Sequence, residues 1–300
     1  MPAWVTYSIL GAAVFTVVNF IDKYILERQI RDYRGMAIYS SVAAFIAGVL
    51  FWVATGFPIL GFSDTVLVLL SGAFTIWGAA IYFQVMVSEE ASKVIFLMQI
   101  VPIFVLILGY IFLKEVITFK QLVGFIAILV ATTTVSADKN SGLSLKANRT
   151  LILMLAADLL FAISSILFKF VVNTNDFAKL ISYEGLGYAV GGICLYLFFP
   201  SIRRAFLKTN STLKKTGLAV IFGNEAVFII SKVINFFAVS LGPVALVGVL
   251  GGTQVFFAVI YGWILTLTAP KIFKENISGK ELLRKFWWAA VTFGGIILIG

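Results

Sequence analysis

The sequence contains no His and a single Cys, Cys194. That removes the commonest general base, histidine-ligated metals and any Ser-His or Cys-His nucleophile pair. Cys194 can form no intrachain disulfide and reads as a small core residue. The side chains left to do chemistry are polar groups embedded in apolar sequence. Ala12, Thr16, Asn19 and Lys23 recur at helical 3–4 spacing and share one face. Asp158, Ala162, Ser165 and Lys169 repeat that face 146 residues later. Each stripe ends in Lys, so each is either a cavity wall or a lysine snorkelling from a helix end. Asn224, Ser231 and Asn235 share a third face, with Glu225 and Lys232 on the neighbouring one. Those two charges are two turns apart, about 10.5 Å of rise. They suit substrate or proton binding, or structural pairing with other helices. Glu184 is either a partner for a Lys or a rim residue. Gln84, Gln99 and Gln254 suit interhelical hydrogen bonding, and Trp77 with Tyr82 suits an aromatic wall or plain packing. The candidate binding set is therefore Asn19, Lys23, Trp77, Tyr82, Asp158, Ser165, Lys169, Glu184, Asn224, Glu225, Lys232 and Gln254, with no metal site and no cofactor.

The elements that carry these residues follow from composition. AVILMFWYC residues make up 61% and charged residues 12%, about half the charge of a soluble domain, and mean hydropathy is +1.03. Too little polar surface exists to coat a soluble globule, so the bilayer is the solvent for most of the chain. A membrane-crossing helix needs roughly 20 mostly apolar residues. Ten such runs are present, at about 3–25, 36–56, 64–87, 92–113, 118–136, 150–172, 180–199, 216–239, 244–267 and 286–300. The short alternating segments of a closed barrel are absent. The net charge of +9 sits between the runs, where topology-setting charges belong, so nucleic acid is not an expected partner. The N-terminus lacks a basic leader region and reads as a retained first helix.

Internal repeats organise the runs. LKEVITFKQL from Leu113 parallels FKENISGKEL from Phe273: Lys114, Glu115, Ile117, Lys120 and Leu122 match Lys274, Glu275, Ile277, Lys280 and Leu282. Thr118-x-x-Gln121 and Ser278-x-x-Glu281 are capping-box patterns, so this motif reads as helix-start structure. Val87-Ser88 and Phe104 recur as Val239-Ser240 and Phe256. Five helices per half is an odd number, so the second half must run through the membrane inverted. The expected organisation is a first repeat at 1–136, a basic linker at 137–149 and a second repeat at 150–300. Small-residue faces at Gly187-x-x-x-Gly191 and Gly248-x-x-x-Gly252 suit close helix packing. Pro102, Gly251 and Gly252 are candidate bending points.

With these motifs in hand, the chain resembles the ten-helix EamA-type transporters of the drug/metabolite transporter superfamily. The resemblance rests on NFIDKYIL, on ILFKFVV, and on the segment from Val85 through Ala131 with Pro102, Glu115 and Gly124. AVSLGPVALVGVLGGTQVFF is its counterpart in the second half. The long basic segment 269–285 departs from the pattern. The resemblance implies an all-α membrane protein of ten transmembrane helices, two inverted five-helix repeats around a central cavity. It also implies export of small metabolites such as amino acids or related polar or amphipathic compounds. A lipid-linked intermediate flippase of the same superfamily is the alternative.

The remaining expectations concern mechanism and setting. No paired Asp, Ser-Lys dyad or metal cluster stands at usable spacing, so the chain is not expected to be an enzyme. No G-x-x-x-x-G-K-[ST] motif is present, so transport is expected to be secondary and alternating-access, with Asp158 or Glu225 as proton-coupling acids. The expected partners are a small-molecule substrate and the lipid bilayer, the protein being a monomer or a homodimer. The expected location is the plasma or inner membrane. Eighteen of the 23 Lys and Arg residues lie in or beside loops that follow odd-numbered runs, and four in or beside loops that follow even-numbered ones. That bias puts both termini outside, whereas relatives of this type usually have them in the cytoplasm.

Overall fold

The computed structural model describes all residues except 31, 90–93, 95–96, 137–148 and 269–278. Side chains are also described except at 135–136, 265–268 and 279–286. Most of the 137–149 linker, and Lys274, Glu275, Ile277 and Ser278 of the repeated motif, lie outside these residues.

The described residues are helical, with no strand among them. The helices are α1 (Ala3–Arg28), α2 (Met36–Ala54), α3 (Phe62–Ser88), α4 (Val101–Leu108), α5 (Phe119–Ser136) and α6 (Arg149–Val172), then α7 (Phe177–Phe198), α8 (Pro200–Thr212), α9 (Lys215–Leu241), α10 (Val244–Gly251), α11 (Gln254–Thr268) and α12 (Gly279–Ile299). Seven helical segments among the described residues are long and apolar enough to cross a membrane: α1, α2, α3, α6, α7, α9 and the α10–α11 segment Val244–Ile264. Three shorter apolar helices, Met98–Leu113, Phe119–Thr134 and Trp287–Ile299, accompany them. Large apolar side chains such as Leu50, Ile59, Phe62, Phe119 and Trp287 stay exposed, as lipid-facing residues do in a protein whose solvent is hydrocarbon.

Local chemistry sets the helix ends. At α5, Gln121 N donates to Thr118 Oγ1 at 3.3 Å while Thr118 N donates to Gln121 Oε1 at 2.9 Å, a reciprocal capping box. The stretch before α5 ends in a π-helical turn, Gly109–Leu113, closed by Lys114 at φ 56°. Before α2, Asp32 accepts from Arg34 N and from its guanidinium, and those bonds hold the Asp32 carboxyl below its usual range. α8 was not expected: it lies between the seventh and eighth runs and is too polar to register as one. Ala205 and Thr209 are its buried side chains. Phe206 stacks on Tyr39 and Tyr196.

The long helices pack in pairs: α1 with α9, α3 with α6, α2 with α7, and α5 with α12; α3 also lies along α7. Glycines permit the closest approaches. A Cβ on Gly185 would sit 2.6 Å from Gly48 Cα, and one on Gly187 would meet Leu69 backbone. The apolar core divides into two main clusters. One gathers the beginning of α1 and the ends of α6, α9 and α12 around α10. The other gathers the end of α1, the start of α2 and the end of α3. Gly300 lies against Pro2 and Val5, so the two termini meet at one end of the bundle.

Candidate functional site

Between the two apolar clusters lies a cavity of about 230 Å³. α1, α2, α3, α6, α7, α9 and the two interrupted helices all contribute to its wall. The interruptions face it. In one, the 3-10 turn Met98–Ile100 precedes α4, with Pro102 in the first helical turn. In the other, Gly252 N bonds Val249 O and Thr253 N bonds Leu250 O, short-range links that separate α10 from α11. Proline and paired glycine disfavour a continuous helix there. Pro102, Gly251 and Gly252 all line the cavity. Gly187 and Gly191 instead press onto α3: a Cβ on Gly187 would lie 2.9 Å from Leu69 Cα, and one on Gly191 2.8 Å from Ala73 Cα.

Two polar groups stand in this wall. The first joins α1, α2 and α9. Asn224 Nδ2 donates to Asp22 Oδ1 at 2.8 Å, and Ser40 Oγ donates to Glu225 Oε1 at 2.6 Å. Asp22, Ser40 and Glu225 line the cavity. Next to them Tyr82 Oη donates to Asn19 Oδ1, and Asn19 Nδ2 donates to Gln254 Oε1, both at 3.2 Å. The second group surrounds Lys232. Its Nζ lies 3.3 Å from Glu184 Oε1 and donates to Thr75 Oγ1 at 3.1 Å. The ammonium also sits 3.9 Å from the centre of the Phe236 ring, within cation–π range. Aromatic rings from Phe15, Phe83, Phe161 and Phe228 close the remaining wall.

Of the residues expected at the site, Tyr82, Ser165, Glu225, Lys232 and Gln254 line the cavity. Asn19, Asn224 and Glu184 stand behind it and hold Tyr82, Asp22 and Lys232. Four others lie elsewhere. Trp77 donates its indole N–H to Gly191 O at 3.1 Å and works as helix packing. Lys23 donates to Met86 O at 3.0 Å and Glu89 O at 3.4 Å. Lys169 donates to Val239 O at 2.8 Å and Gly242 O at 2.9 Å. Both lysines thus satisfy carbonyls that a helix C-terminus leaves free, which turns them away from the cavity. Asp158 is fully buried, outside the cavity wall, and neither of its oxygens has a hydrogen-bond partner among the described residues. It shares the face of Ser165 but stands two turns away, beside Ala157, where α6 lies close to Gly78 of α3.

Glu115 acts at a helix start that is not its own. Its carboxylate accepts from Val244 N, the first residue of α10, at 2.9 Å and lies 3.9 Å from Lys169 Nζ, so it ties the end of one half to the start of α10, while Thr118 and Gln121 of the same motif cap α5. Sequence reasoning missed Asp22, Ser40 and Asn235 as wall residues. The signal for Asp22 was available: it lies three residues after Asn19, on the adjoining face of α1. Among the described residues no group of three or more Cys, Asp or Glu could hold a metal ion.

The model of the EamA-like transporter family matches residues 2–137. No curated protein matches the chain. A solved structure described only as the crystal structure of a protein aligns over 99% of this chain and 98% of its own, with a TM-score of 0.67 and 13% identity. At that identity the likeness is one of fold. The apolar helices make this an integral membrane protein, and its residues 2–137 are similar to the EamA-like transporter family of the drug/metabolite transporter superfamily.

Proposed function

We propose that the protein is a secondary active transporter that exports small metabolites, amino acids or related polar and amphipathic compounds, by alternating access. The observation that carries this reading is the cavity itself, with Asp22, Glu225 and Lys232 facing it from α1 and α9. Burying a charge in a membrane protein costs about 2.5–3.5 kcal/mol on insertion scales. Three such residues around one apolar-walled space are an expense that packing alone does not call for.

The same proposal includes ten crossings in two inverted repeats, divided near 137–149. The meeting of the termini at one end requires an even number of crossings, and the three shorter helices added to the seven make ten. The two lysine contacts are related by the repeat. Lys23 on α1 and Lys169 on α6 each hold two carbonyls three residues apart, Met86 and Glu89 in one case, Val239 and Gly242 in the other. The packing pairs also exchange: α1 with α9 becomes α6 with α3, while α2 with α7 and α5 with α12 map onto themselves. The family match ends at residue 137, where the proposed first repeat ends. Interrupted helices at mid-membrane beside the cavity are the usual moving parts of such carriers.

Coupling to protons through Glu225 or Asp158 belongs to this reading. The test is counterflow of labelled amino acids in proteoliposomes, with and without an imposed pH gradient. Uptake that requires the protein and weakens in Glu225→Gln supports it; a protein that moves none of them, with the gradient or without it, overturns it. A second reading, translocation of a lipid-linked intermediate, is favoured by one feature. A small crevice lined by Ala44, Gly48, Phe51, Ile181 and Val233 runs between α2, α7 and α9 and shares Lys232 and Tyr188 with the cavity. Flipping of a fluorescent lipid by the same proteoliposomes would favour that reading over metabolite export. The proposed setting is the plasma or inner membrane.

A further inference from the structure

The acid-bearing end of the cavity is short of hydrogen-bond donors. Asp22 and Glu225 come from different helices, and the Asn224–Asp22 bond brings the two carboxyls to neighbouring positions on the wall. The donors supplied by protein are one Asn224 N–H and the Ser40 hydroxyl, each spent on one carboxylate oxygen. The second oxygen of each carboxylate accepts nothing among the described residues. Behind the wall Asn224, 2% exposed, has an Oδ1 without a partner among the described residues. The Nδ2 bond to Asp22 keeps that amide at the carboxylate.

Among the described residues no cationic side chain answers these acceptors. Lys23 follows Asp22 directly in sequence but is turned to the carbonyls of Met86 and Glu89 and to Glu27, 3.3 Å away. Lys232 stands two turns further along α9 and is engaged by Glu184 and Thr75. The other groups facing the pair are Ser40, Tyr82, whose hydroxyl donates to Asn19, and on the Glu225 side Tyr188. Two adjacent carboxylates in an apolar interior cannot both stay charged without a cation.

We infer that the unused oxygens of Asp22 and Glu225, with Asn224 holding Asp22 from behind, form the recognition site for the protonated amino group of a substrate whose apolar body lies against Phe15, Tyr82, Phe83 and Phe228. An ammonium brings three donors and no acceptor, the composition the site lacks, and it carries the charge that the acid pair needs. A bare alkali-metal ion supplies charge but gains nothing from the aromatic wall's size and shape. This deepens the carrier reading and rests on it: the substrate class becomes small amphipathic amines, amino acids entering by their ammonium end.

The test uses the purified full-length protein and probes that share one body: phenethylammonium, 2-phenylethanol and 3-phenylpropionate, with sodium chloride as the inorganic control. Titration calorimetry is expected to show the amine binding at least tenfold more tightly than the alcohol or the carboxylate. Asp22→Asn and Glu225→Gln are each expected to weaken the amine at least tenfold. Because the ranking of probes on the unmodified protein needs no variant, it stands even if a substitution prevents folding. Phenethylammonium, which stays protonated through the neutral and acid range, is expected to bind less tightly as pH falls, since protons then occupy the carboxylates. Equal binding of amine and alcohol, tighter binding of the carboxylate, sodium competing at equal concentration, or variants that bind the amine unchanged would each overturn the site. Amines that bind in calorimetry but never move in proteoliposomes would refute the carrier and leave the site. Amino acid transport with no amine binding would do the reverse.

Discussion

Lys232 is engaged on every side that the cavity does not occupy: Glu184, the Thr75 hydroxyl and the Phe236 and Tyr188 rings. Glu184 is itself buried, and its Oε1 accepts no aligned hydrogen bond, so its compensation is the charge of Lys232. Removing one member leaves the other uncompensated. Lys232→Met alone is therefore expected to lower stability by about 3–5 kcal/mol, the cost of orphaning a buried charge. Glu184→Gln combined with Lys232→Met is expected to recover most of that loss. Chemical denaturation of the single and double variants measures the difference; a double variant no more stable than Lys232→Met would show that the pair is not what holds Glu184 in place.

Glycine has two different uses among the helices, and substitution separates them. Gly187 lies where α7 touches α3, with no room for a side chain. Gly187→Val is expected to destabilise by about 1–3 kcal/mol through overpacking, read as a drop in thermal midpoint. At Gly251, where α10 ends beside the cavity, an added Cβ meets nothing within 4 Å. Gly251→Ala is expected to leave the midpoint within about 0.5 kcal/mol of unmodified protein while slowing counterflow severalfold, because alanine stiffens the break between α10 and α11. If Gly251→Ala transports at the unmodified rate, the break is not a moving part. The small-residue spacing that marks Gly187 in the sequence marks Gly248 equally. Yet a Cβ on Gly248 would be 3.8 Å from its nearest neighbour, an ordinary contact, since partner helices and not spacing decide which glycine is pressed.

At the scale of the molecule, the termini share one end, and under the proposed ten crossings most Lys and Arg residues of the sequence fall in loops of the other. The positive-inside bias then expects both termini outside the cell. A C-terminal alkaline phosphatase fusion should be active and a C-terminal green fluorescent protein fusion dark; the opposite pair of results would reverse the orientation and make the lightly charged end cytoplasmic. Of the two lysines Lys169 is the more closely enclosed: its side chain is 9% exposed against 26% for Lys23, and both its carbonyl bonds are 2.9 Å or shorter.

Composition alone decided that this chain lives in a bilayer, and hydropathy placed its helices, because the penalty for exposing a polar backbone to lipid is paid segment by segment and needs no knowledge of neighbours. Local pattern also determined the cap at Thr118 and the weak points at Pro102 and Gly251-Gly252, where the backbone chemistry of one or two residues suffices. Which polar side chains meet was not local. Lys23 and Asp158 looked like wall residues from helical periodicity, and so did Asp22 by its spacing from Asn19, so periodicity did not separate them. Only the packing of α1 on α9, and of α6 on α3, turned Lys23 to a helix end, closed Asp158 away and set Asp22 beside Glu225. Periodicity gives a residue its angle on its own helix; the cavity is defined by the angles of several helices at once, and those are fixed by contacts between residues some 200 positions apart.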